Sequence, residues 1–245
     1  MTRRCPLWIV LLGAALSLTG MARTPLPAQD GLKFIRVARQ FQTEPWAGVI
    51  RGSDQHPLYP GCIALIQPLA SRVVGQGPDS WRIAAQGVSA LAGLLLLLPL
   101  FALTRALFDE PTAILAALLF VLLPEPAGIT HETLSDALAL LAFMFALQLG
   151  EYALRTNGLA AAIGCGVVAG IGYWTRPEVA VVPIVVVITA GLRYAVDRYR
   201  RMDLPTQAQH PLVRFAALGV TFLFVVGMYA MVKGEVSEKL ALRRT

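Results

Sequence analysis

Apolar residues fall into eight blocks, and the polar residues are gathered in the gaps between them. The blocks run approximately over Cys5–Ala22, Pro57–Gly75, Ile83–Leu103, Pro111–Leu123, Leu134–Ala153, Gly158–Trp174, Val179–Leu192 and Val213–Val232. Most approach the roughly 20 apolar residues that a helix needs to cross a bilayer. Those at Pro111–Leu123 and Val179–Leu192 are short and reach a full span only by borrowing flanking residues. One stretch has a different rhythm. In "DGLKFIRVARQF", Phe34, Val37, Ala38 and Phe41 share one helical face, while Lys33, Arg36 and Gln40 share another. That spacing predicts an amphipathic helix lying flat in the headgroup region.

Composition turns the pattern into a class. The chain is 56% hydrophobic and 15% charged, against about 25% charged residues in soluble domains, and its mean hydropathy is +0.61. The expected fold is an all-α polytopic membrane protein, a single domain over residues 1–245 that forms the N-terminal part of a longer architecture. The net charge of +6 does not point to nucleic acid, because no basic stripe is interleaved with aromatics. Arginines in cytoplasmic loops explain it better. Cys5, Cys62 and Cys165 form no CxxC pair and read as small apolar residues, with no disulfide framework or metal site. No heptad series, long-period repeat or low-complexity tract interrupts the pattern.

Charge also sets the expected topology. Arg3 and Arg4 precede the first block, which reads either as a signal peptide or as a first spanning helix. Retention with a cytoplasmic N-terminus is the expectation. If Pro57–Gly75 does not cross, there are about seven crossings, and Arg105, Arg155 and the Arg193–Arg201 cluster all fall inside. If it crosses, that cluster is pushed outside. Pro57, Pro60, Pro68 and Gly61 are expected to interrupt this block, with Ser71 and Arg72 ending it early. The block therefore reads as a surface or re-entrant helix, within an extracytoplasmic loop over residues 23–81 that carries interfacial helices.

This topology places Asp30, Asp54, His56, Glu132, Asp136, Arg176 and Glu178 on the extracytoplasmic side. Asp30 begins the amphipathic helix, either as its N-cap or as a general base. His131, Glu132 and Asp136 stand in "THETLSDALAL" at another helix start, where Thr133 or Ser135 could be the cap. A carboxylate there is costly unless paired, and Arg176 in "YWTRPEVA" is the available partner. There is no Walker loop, no GxGxxG after a strand and no HExxH. "GCGVVAG" at Gly164–Gly170 reads as small-residue packing between helices.

Several of these elements, in this order, resemble the GT-C integral-membrane glycosyltransferases. That superfamily includes dolichyl-phosphate-mannose protein mannosyltransferases and bacterial aminoarabinose transferases. The likeness covers residues 1 to about 200. An acid opens the first-loop helix (Asp30); "HPLYP" is similar to a PPLYY element. "RALFDEPTAILAALLFVLLP" is similar to a helix hairpin of the family, "LSDALAL" to a TDALL helix start and "WTRPE" to an LTKGP turn. The resemblance implies a GT-C-like helical bundle and transfer of a sugar from a polyprenyl-phosphate donor to an acceptor hydroxyl. It implies Asp30 as base and Arg176, in place of a lysine, on the donor phosphate. His56 and Tyr59 would line the sugar or acceptor pocket and Asp136 would orient it, with His131, Glu132 and Glu178 nearby. The implied partners are the lipid-linked donor and membrane lipid, in the inner membrane; no cofactor is identified. Asp30 is followed by Gly31, where the family often has a second acid. A transporter or lipid-handling protein is the alternative, along with a truncated non-catalytic relative. A transporter is expected to carry ionisable groups at mid-membrane, whereas here they gather at one face.

Overall fold

Each apolar block becomes a helix, and local chemistry sets where each one stops. The computed structural model describes residues 5–200 and 211–234. They form α1 (Leu7–Arg23), α2 (Gln29–Thr43), α3 (Trp46–Gly52), α4 (Leu58–Val74), α5 (Pro78–Leu107), α6 (Glu110–Leu122), α7 (Pro124–Gly128), α8 (Asp136–Thr156), α9 (Leu159–Tyr173), α10 (Val181–Arg200) and α11 (Pro211–Lys233), with a 3-10 turn at Pro177–Ala180. No strand occurs among the described residues. Asp109 caps α6 by accepting from the Thr112 backbone N–H at 2.9 Å. Asn157 ends α8 and Gly75 ends α4, both at positive φ.

The long helix α5 is the spine of the bundle. It packs against α1, α4, α6 and α8, while α9 lies between α8 and α11. Four helical stretches are long and apolar enough to cross a membrane: Pro78–Leu107, Asp136–Thr156, Pro177–Val196 and Val213–Lys233. Helices α1, α6 and α9 are shorter apolar helices packed into the same bundle. Leu98, Ile184, Ile188, Leu223 and Phe224 are at least half exposed, an apolar outer surface suited to lipid. This is a helical polytopic membrane protein.

Glycine brings α9 and α11 together. A Cβ at Gly166 would lie 2.4 Å from the Leu218 carbonyl oxygen, and one at Gly170 would lie 2.6 Å from Val225 Cβ. The small-residue reading of "GCGVVAG" is what the structure contains.

Two expectations need correction. The block at Pro57–Gly75 is not interrupted: α4 is continuous, with Pro60 in its first turn and Pro68 inside. Proline near a helix start loses no hydrogen bond. Pro68 leaves the carbonyl of Ala64, four residues earlier, without its usual donor, and Gln42 Nε2 donates to that oxygen at 3.2 Å. Ser71 and Arg72 lie within the helix, which runs on to Val74. The second correction concerns α2. Phe34, Val37, Ala38 and Phe41 are all buried, packed with Tyr59 and Ile63 of α4. The apolar face is covered by protein and is not free for headgroups.

Helix α4 runs back along α5. Tyr59 bonds at the level of Ala85 and Ser89, whereas Gln67 bonds at Ser80. The end of α1 meets the same stretch of α5, through Gln86 Nε2 donating to Thr24 O. The α4 helix therefore accompanies the first turns of α5, beyond the end of α1, and does not run down the bundle. The 53–58 loop joins the same end: Leu58 N–H donates to Trp174 O at 3.0 Å, Arg51 to Val232 O and Lys233 to Ser53 O. Arg193 is at the opposite end, donating to Leu154 O beside Arg155. Arg3, Arg4 and Arg201 lie outside the described residues.

Candidate functional site

The segment between α7 and α8 is the hub of the polar end. Thr133 is buried, and its Oγ1 accepts from the Ala28 N–H at 3.1 Å, at the start of α2. Approach there is so close that a Cβ at residue 31 would sit 1.9 Å from Thr133 Oγ1. Only glycine fits. One residue on, Leu134 O accepts from Ser89 Oγ at 3.0 Å, which fixes the segment to α5. Ser135 and Asp136 then open α8.

Across from them, Pro177 starts the 3-10 turn after Arg176, whose extended backbone turns the chain (φ −150°). Arg176 Nη2 bonds Asp136 Oδ2 at 3.0 Å, and Nε donates to Ser135 Oγ at 3.3 Å. The pair is only partly exposed, 42% for Arg176 and 28% for Asp136. Among the described residues Nη1 has no hydrogen-bond partner, which leaves it available to an anion. The pairing expected from the cost of an isolated carboxylate is present.

Asp30 is not the N-cap of α2. Ala28 holds that position with no side-chain bond. Asp30 lies in the first turn, two-thirds exposed, with Oδ1 accepting from Lys33 Nζ at 2.8 Å. That hydrogen bond holds the Lys33 ammonium above its ordinary pKa. The second carboxylate oxygen has no partner among the described residues.

Other expected site residues are placed differently. Tyr59 is fully buried; its hydroxyl bonds Ala85 O at 3.1 Å and Ser89 Oγ at 2.9 Å. Burial pushes its phenol far above the ordinary range. Tyr59 thus ties α4 to α5, and through Ser89 to Leu134, without lining an open pocket. His56 stacks on Tyr229 with ring centroids 5.4 Å apart and meets the Tyr173 ring edge-on at 5.8 Å. His131 rests on α1, where a Cβ at Gly20 would lie 2.5 Å from its Nδ1. Glu132 is half-buried and Glu178 exposed; neither is joined to the Asp136–Arg176 pair. The sequence offers Thr133 and Ser135 only as caps, Lys33 only as part of a polar helix face and Gly31 only as the place of a missing second acid; their roles here arise from contacts between distant segments. Among the described residues, no group of three or more His, Cys, Asp or Glu side chains is gathered.

Thr133 joins the first turn of α2, which carries the exposed Asp30 carboxylate, to the segment that leads into α8 and the half-buried Asp136–Arg176 pair. The profile of the dolichyl-phosphate-mannose-protein mannosyltransferase family matches residues 56–229. The chain belongs to this family. The match spans the α4 to α11 helices and includes Asp136 and Arg176, while Asp30 and α2 precede it. No curated protein and no solved structure gives a significant match. Membership makes the chain an integral-membrane protein of glycosyltransferase type, with a lipid-linked sugar donor.

Proposed function

We propose that this chain transfers a sugar from a polyprenyl-phosphate donor to an acceptor hydroxyl at the extracytoplasmic face of the membrane. The acceptor oxygen attacks the anomeric carbon, the bond from that carbon to the phosphate oxygen breaks, and polyprenyl phosphate leaves. Asp30 takes the acceptor proton on its free carboxylate oxygen, while Lys33 holds the other. Arg176 meets the departing phosphate through Nη1, its orientation set by Ser135 and Asp136. Thr133 and Tyr59 act as positioning residues. His56, His131, Glu132 and Glu178 border this end of the bundle.

The observation that carries the reading is the joint formed by Ala28, Gly31 and Thr133. It packs the first turn of α2 against the segment that continues directly to Ser135 and Asp136. On this reading residues far apart in the chain act on one substrate, the condition for gaining rate by proximity.

The test is Asp30→Asn, assayed on the membrane-embedded chain with a panel of radiolabelled polyprenyl-phosphate hexoses and pentoses. The lost ion pair with Lys33 is exposed and contributes little to stability, so expression is expected to match the parent. Transfer is expected to fall about 10²–10⁴-fold, the range for a lost general base. Undiminished transfer would remove Asp30 from the mechanism.

A further inference from the structure

A cleft of about 320 Å³ lies between α1, α5, α6 and α7, apart from the Asp136–Arg176 pair. Leu16, Leu94, Leu97, Phe120, Val121 and Leu122 give it apolar walls, interrupted by hydroxyls such as those of Ser17 and Thr130, which bond each other at 2.9 Å. Glycines let the helices around it approach closely. A Cβ at Gly13 would press on Leu94 and Val121 at 3.3 and 3.4 Å, and one at Gly20 or Gly93 would collide with His131 or Thr130. At the mouth stand Arg23, in the last turn of α1, and His131. No Asp or Glu lines the cleft, and among the described residues Arg23 has no ion-pair partner.

We propose that this cleft binds an anionic phospholipid of the surrounding bilayer, one acyl chain in the cleft and the phosphodiester on Arg23, with His131 as a second donor. Charge and shape select this occupant. A phosphodiester carries a single negative charge, matched by one guanidinium; a polyprenyl-phosphate sugar is a phosphodiester too, so the second chain of a phospholipid, and not charge, sets the two apart. The cleft is at the small end of ligand sites and admits one chain. Exposed Leu18, Leu122 and Leu123 around it give the second chain of a phospholipid an apolar bed. Basic residues at a membrane surface are attracted to anionic lipids, and Arg23 has no counter-ion among the described residues. His131 is followed by Thr133 and Asp136, so a bound lipid also steadies the segment that carries them. That last consequence rests on the proposed function; the binding does not.

The experiment is native mass spectrometry of the purified full chain, offered equal amounts of phosphatidylglycerol and phosphatidylcholine. The parent is expected to retain phosphatidylglycerol about fivefold or more over phosphatidylcholine, the scale of one charge-assisted contact. Arg23→Gln is expected to erase the preference and His131→Gln to weaken it. Arg72→Gln, on α4 away from the cleft, is expected to leave it intact. Undecaprenyl phosphate and a polyprenyl-phosphate hexose, each at equal concentration, are expected not to displace the bound lipid. The proposal is overturned if Arg23→Gln keeps the preference or if the parent shows none. It is also overturned if either polyprenyl lipid displaces phosphatidylglycerol.

Discussion

Arg176 is placed by three constraints within a few ångströms. Its backbone N–H closes the end of α9 on Gly172 O, Asp136 takes Nη2, and Ser135 takes Nε. A planar guanidinium can satisfy two acceptors and still offer an edge; a lysine ammonium is a point charge on a flexible stem. Arg176→Lys is therefore expected to keep the pair with Asp136 and lose the fixed direction, lowering kcat/KM for the lipid-linked donor by about tenfold. Arg176→Gln, which removes the charge from a site of developing phosphate charge, is expected to cost about 10²–10³-fold. Steady-state kinetics in detergent or proteoliposomes measure both. Equal activity in parent and Arg176→Gln would take this residue off the phosphate. The partnership of Asp136 and Arg176 was legible in the sequence, because an ionised carboxylate at an apolar helix start needs a cation. The partnership of Asp30 with Lys33 follows from three-residue helical spacing but was not drawn from it.

Helix pairing depends on where side chains are missing. Gly166 faces the backbone of α11 so closely that any Cβ meets a carbonyl oxygen, which cannot move aside as a side-chain end can. Gly219, on α11, has nothing within 4 Å of where its Cβ would be. Gly166→Ala is expected to destabilise the protein by about 1–3 kcal/mol or more through overpacking. Gly219→Ala is expected to be neutral or slightly stabilising, since alanine is the better helix former. Detergent-resistant thermal unfolding of the two variants separates them, and equal losses would sink this account of the α9–α11 contact. The α4 helix teaches the complementary lesson. Its prolines looked like breaks, yet Gln42 of α2 supplies the donor that Pro68 removes. A tertiary contact thus offsets a local penalty.

At the scale of the molecule, polar groups divide between the two ends of the bundle. The 53–58 loop, the start of α5, the 129–136 segment, the Arg176 turn and the end of α11 are bound to one another at one end. Arg193 and Arg155 stand at the other. Because α4 accompanies only the first turns of α5, both of its flanks are expected to face the same compartment. With Cys5, Cys62 and Cys165 replaced, single cysteines at Asp54 and Gln76 should react with an impermeant maleimide from the same side. Cysteines at Ala106 and Thr156 should react only from the other. Opposite labelling of positions 54 and 76 would make α4 a crossing and overturn this topology.

The sequence by itself determined the helical membrane class, the eight apolar helices, the amphipathic face of α2, the glycine seam of α9 and the need of Asp136 for a cation. Each of these follows from hydrophobic periodicity, composition or the cost of an isolated charge, which neighbouring residues in the chain already express. Only the tertiary structure decided that the α2 face is covered by α4 and that Tyr59 is a buried strut. It also decided that α4 survives its prolines, that α1, α6 and α7 leave a cleft under Arg23 and His131, and that Gly31 is pressed against Thr133. These depend on which surfaces meet across a hundred residues of chain. Amphipathic periodicity says that a face will be covered, but not whether lipid or protein will cover it, because both are apolar. A buried hydroxyl finds its acceptor only after packing has brought one near.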